Sequence, residues 1–112
     1  MLLTHTSSGE VVAAMPTPAA SEAKSAILVK TPHLEVRRLV LADGKEIPSH
    51  KAPGPITVQC LAGRVTFTCH GQSRELLPGD LLYLNASEPH SLVAHDDSML
   101  LVTLVLPPLK TE

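Results

Sequence analysis

From Ile27 onward the chain is cut into strand-sized apolar pieces by turn residues. The pieces read ILVK, LEVRRLVL, ITVQCLA, RVTFTCH, SREL, DLLYL, HSLVAH and SMLLVTLVL. Between them stand Asp43-Gly44, Pro53-Gly54-Pro55, Ala62-Gly63, His70-Gly71, Pro78-Gly79 and Asp96-Asp97. Glycine reaches positive φ and proline fixes its own φ, so these pairs favour tight turns. No piece carries the stripe of an amphipathic helix. Short strands so closely punctuated specify an all-β sandwich or small barrel. Aromatic residues make up only 2% of the chain against 44% hydrophobic residues, so the core has to be aliphatic. At 112 residues the chain forms a single domain.

Residues 1–25 differ in texture. They are rich in Ala, Ser, Thr and Pro, and offer little apolar area to offset the entropy of ordering. The expectation is a flexible or strand-exchanging arm over 1–25, followed by a barrel domain over 26–112. The start lacks the basic region and long apolar run of a secretory signal, and no apolar run anywhere is long enough to span a bilayer. A net charge of −2 gives no footprint for nucleic acid or anionic lipid. Neither nucleic acid nor a membrane is expected as a partner. Two cysteines, Cys60 and Cys69, are too few for a disulfide scaffold and suit a reducing, cytoplasmic setting.

One pair of pieces reads as a hairpin, ITVQCLAGRVTFTC. A turn at Ala62-Gly63 sets Cys60 against Val65, Val58 against Phe67 and Ile56 against Cys69. Alternation then puts Ile56, Val58, Cys60, Val65, Phe67 and Cys69 on one face, the interior. The mixed face of Thr57, Gln59 and Leu61 is not charged enough to be wholly solvated. Together with the open edges of a small sheet, that face points to a homodimer.

Two spaced patterns carry the chemistry. The first runs Gly44, His50, Ala52, Ile56, Gly63; the second runs Gly79, Asn85, Ser87, His90, Ala94. In order and spacing, within an all-β chain of this size, they resemble the two motifs of the cupin superfamily, and specifically its small single-domain members. The stretch PGDLLYLNASEPHSLVAHDDS carries the likeness most specifically, and the likeness extends over about Ile27 to Pro107. The resemblance implies a jelly-roll β-barrel, or double-stranded β-helix, with a divalent metal inside. The usual ligands of the family are two histidines and a glutamate from the first motif and one histidine from the second. His50 and His90 match two of these positions and are the metal-ligand candidates. Ala52 stands in place of the other histidine and Ile56 in place of the glutamate. Asn85, Ser87 and Ala94 replace the common Pro, Gly and Asn of the second motif.

Alanine and isoleucine carry no donor atom, whereas catalytic zinc usually has three protein ligands and non-haem iron two histidines with a carboxylate. Two imidazoles suit a divalent transition metal (zinc, nickel, iron or copper), with a metal-free site as the alternative. In the hairpin register Cys69 lies beside the vacant carboxylate position, as a replacement ligand or as a small buried apolar residue. The expected pocket is made of His50, Ile56, Val58, Phe67, Cys69 and His90, a mostly apolar enclosure with two polar groups for a small-molecule ligand. Three readings follow: a small-molecule binding protein, a metal-dependent oxygenase, isomerase or lyase, and a structural or sensory module with a vestigial site. No catalytic residue is assigned.

Overall fold

The computed structural model describes residues 5–16 and 24–108, and no helix occurs among them. The chain forms nine strands there: β1 Ala26–Lys30, β2 Leu34–Leu41, β3 Glu46–His50, β4 Ile56–Ala62, β5 Val65–Cys69, β6 Gln72–Leu76, β7 Leu81–Leu84, β8 His90–Ala94 and β9 Ser98–Val105. They assemble into two antiparallel sheets that face each other as a jelly roll. One sheet has the order β1-β2-β9-β4-β7 and the other β3-β8-β5-β6.

The first sheet is organised by β2 and β9, which pair without a break from Leu34 opposite Val105 to Leu41 opposite Ser98. Period-two alternation turns Glu35, Arg37, Leu39 and Leu41 of β2 to the inner side, together with Leu100, Val102 and Leu104 of β9. From β4 come Ile56, Val58 and Cys60, and from β5 come Val65, Phe67 and Cys69, all buried. Phe67, the chain's only phenylalanine, is among the largest fully enclosed side chains. The remainder of the core is aliphatic, as the composition requires.

The expected β4–β5 hairpin does not form. β4 pairs with β7 and β9, whereas β5 pairs with β6 and β8 in the other sheet. Ile56 therefore lies opposite Leu84 and Leu104, and Cys69 lies opposite His90 and Gln72. Gly63 makes the corner between the sheets at φ 85°. A Cβ there would collide with Ser98 Oγ and stand 2.5 Å from the Asp97 carbonyl, so only glycine lets β9 pass so close. Alternation is the same in a hairpin and in this arch, which is why the inward face was legible and the partner was not.

β3 is the strand that the apolar pattern does not reveal. Its sequence EIPSH is polar and holds Pro48, which cannot donate to a ladder. It survives at the edge of its sheet, paired with β8 alone, with an irregularity between Ile47 and His50 where the proline sits.

Of the arm, residues 5–16 carry no strand. They are tied to the first sheet by Thr6 N–H donating to the Leu28 carbonyl at 2.9 Å and by Arg38 Nη1 donating to the Ala13 carbonyl at 3.3 Å. The remaining parts of the arm, 1–4 and 17–23, and the last residues of the barrel domain, 109–112, lie outside the described residues.

Candidate ligand pocket

The two sheets enclose a cavity of about 380 Å³ between their inner faces. It is aliphatic through most of its depth, with Leu39, Val58, Leu92, Leu100 and Val102 among its walls. The four positions His50, Ala52, Ile56 and His90 all border this one space. The sequence motifs thus converge in three dimensions although they lie on different strands.

Strand pairing brings the histidines together. His50 at the end of β3 is directly opposite His90 at the start of β8, and their ring centroids are 4.2 Å apart. His50 is exposed at the mouth, whereas His90 is buried and stacks on Phe67 with 5.4 Å between centroids. In each ring the Nδ1–H donates to the carbonyl two residues upstream, Pro48 for His50 and Glu88 for His90, both at 3.0 Å. A carbonyl only accepts, so Nδ1 carries a proton in both rings, and the tautomer this selects presents Nε2 as an acceptor. Burial pushes the His90 pKa below 6.5, and the nearby His50 adds to that effect. Burial thus favours the neutral form of His90.

These residues supply two of the four donors that the family commonly uses. Backbone-pinned imidazoles with free Nε2 atoms are good ligands, but Ala52 and Ile56 add no donor to them. Among the described residues no group of three or more His, Cys, Asp or Glu side chains is placed to hold a metal ion. Cys69 stands beside His90 in the ladder, yet it is not among the cavity's lining residues and borders a neighbouring depression with Ser49, His70, Glu88 and His90. Its position next to Ile56 came from the hairpin register, and the separation of β4 and β5 into two sheets removes it. Two other histidines are engaged elsewhere: His70 Nε2 lies 3.0 Å from Glu88 Oε1, and His95 Nε2 lies 2.7 Å from Thr66 Oγ1.

Much of the aliphatic wall, and one arginine, were not among the pocket residues expected from the sequence. Arg37 borders the space at the mouth, where its side chain keeps 50% of its exposure. Its Nε–H donates to Oε2 of Glu35, and Lys30 Nζ donates to the other oxygen at 3.0 Å. Hydrogen bonds from Lys30 and then Arg37 hold the Glu35 carboxyl below its usual range, against the opposing effect of burial. The available signal was alternation in LEVRRLVL, which places Arg37 in phase with Leu39 and Leu41.

The cupin domain family matches residues 37–106, which takes in both motifs, the strands β3 to β9 and most of β2. The chain belongs to the cupin family. Solved cupins share the architecture. A cupin superfamily protein from Desulfitobacterium hafniense superposes with a TM-score of 0.75 at 21% identity, over 88% of this chain and all of that one. A cupin 2 conserved barrel domain protein from Leptotrichia buccalis is 29% identical, with a TM-score of 0.68 over 72% of this chain and 39% of that one. Salicylate 1,2-dioxygenase from Pseudaminobacter salicylatoxidans is 20% identical, with a TM-score of 0.68 over 72% of this cupin and 25% of its own length. No curated protein matches this cupin in sequence.

Proposed function

We propose that this cupin binds a small organic molecule in the barrel cavity, with His50 and His90 fixing its orientation through their Nε2 acceptors. The observation that carries this reading is the composition of the cavity: aliphatic walls, two pinned imidazoles, and no donor at positions 52 and 56. Such a lining discriminates by shape and by a few polar contacts. The two free thiols fit a reducing cytoplasm. Leu81 and Tyr83, exposed on the edge strand β7, support a homodimer.

A second reading rests on the paired free Nε2 atoms, which offer a weak two-nitrogen site to zinc, nickel, iron or copper with solvent completing the shell. It is the route by which a metal-assisted oxygenase, isomerase or lyase remains open, and it requires ligands that the described residues do not supply.

A methyl NMR screen against small apolar and amphiphilic compounds tests the first reading. Shifts confined to Val58, Leu92 and Leu100 support it. No compound perturbing those methyls, with the protein folded, overturns it in favour of a structural or sensory module.

A further inference from the structure

The lining of the cavity is electrically one-sided. Its charged members are Arg37 and Lys51, both at the mouth, and among the described residues that line it none is acidic. Glu35, the carboxylate paired with Arg37, is also held by Lys30, and the three groups together keep a surplus positive charge.

Arg37 is also held in place. Its Nε–H is taken by Glu35 Oε2, and Glu35 is itself buried, with a side-chain exposure of 4%. This fixes the plane of the guanidinium while its Nη atoms donate to no other described residue. β2 places Arg37 opposite Val102, and both residues border the cavity beside its aliphatic wall. A planar guanidinium with one edge occupied and the other open matches a carboxylate. The half-exposed location lowers the desolvation cost of bringing two charges together, because the anionic head stays close to water.

We propose that Arg37 is the recognition residue for an organic anion, the cavity taking a small monocarboxylate whose apolar body lies between the sheets. The inference rests on the small-molecule reading above and names its ligand class. A monoanion is favoured over a phosphate dianion because one fork, not a cluster, faces the opening. The volume of about 380 Å³, near the lower end of the usual range of about 300–1,000 Å³ for ligand sites, suits a body of up to about eight carbons rather than a long lipid chain. Lys51 contributes attraction at longer range from the rim.

Calorimetric titration with octanoate, 1-octanol and octylammonium provides the test, since the three share a body and differ in head charge. Octanoate is expected to bind at least about tenfold tighter than octanol, the scale of a charge-assisted hydrogen bond, with octylammonium weakest. Arg37→Gln removes the preference for octanoate and leaves octanol binding in place. Arg37→Lys keeps the ion pair with Glu35 and retains part of the preference, so it serves where the glutamine variant melts early. Equal affinity for octanoate and octanol overturns the role of Arg37 and leaves the pocket reading intact. Binding of none of the three, or shifts away from the Val58 and Leu100 methyls, overturns both. A carboxylate preference that survives in Arg37→Gln also refutes the proposal.

Discussion

Restoring the two lost donors provides a direct perturbation of the site. Ile56 keeps only 4% of its exposure and packs between Leu84 and Leu104 on neighbouring strands. Ile56→Glu removes about 1.5–3 kcal/mol of side-chain burial and adds the cost of enclosing a carboxyl group, for a total of about 3–5 kcal/mol. The buried carboxyl escapes part of that cost by staying protonated. Ala52→His, at a partly exposed position on the same cavity, is much milder. In the doubly substituted protein the introduced imidazole and carboxyl share one space with His50 and His90, completing a four-donor set. Nickel or zinc supplied at about a hundred times its dissociation constant then returns about 2.7 kcal/mol by mass action. Urea denaturation with and without the metal measures both quantities. A folded double variant whose midpoint ignores nickel refutes the convergence of the four positions. A wild-type protein that shows the same metal-linked shift refutes the importance of the two missing donors.

Two further outcomes follow from the fold. The Glu35 carboxyl is held below its ordinary value of 4.5, so its contribution to stability is present above that pH and lost as pH falls through the folded pKa. Glu35→Gln therefore costs about 1 kcal/mol near neutrality, discounted because its partners are half exposed, and denaturant midpoints of the two proteins converge in acid; a gap that persists or widens in acid contradicts this. Ser87 holds φ 64° in the loop before β8, where the family commonly has glycine. Ser87→Gly relieves about 1–2 kcal/mol of left-handed strain against about 0.5–1 kcal/mol of added chain entropy, and thermal melting should show a net gain; a lowered melting temperature refutes the strain.

The parts of this cupin that were legible in sequence are those set by local rules. Period-two alternation marked Ile56, Val58, Cys60, Val65, Phe67 and Cys69 as inward, and all six are buried. Motif spacing linked His50 to His90, which the β3–β8 ladder sets side by side. Partnering of strands is a long-range property, and it was there that local reading failed. Gly63 looked like a hairpin turn because its positive φ serves a hairpin and an arch equally; only the closeness of Ser98 distinguishes them. The polar, proline-bearing β3 gave no apolar signal because an edge strand needs little of one. Arg37 was passed over since a charged side chain in a strand reads as solvent-facing. Its inward phase has a use only once Leu39 and Val102 form a wall beneath it.

Metal content decides between an organic ligand and a resident metal in the barrel. Elemental analysis of tag-free protein, purified without chelators, is expected to find transition metal well below one ion per chain, unchanged by His50→Ala or His90→Ala. A stoichiometric metal that either substitution removes overturns the organic-ligand proposal.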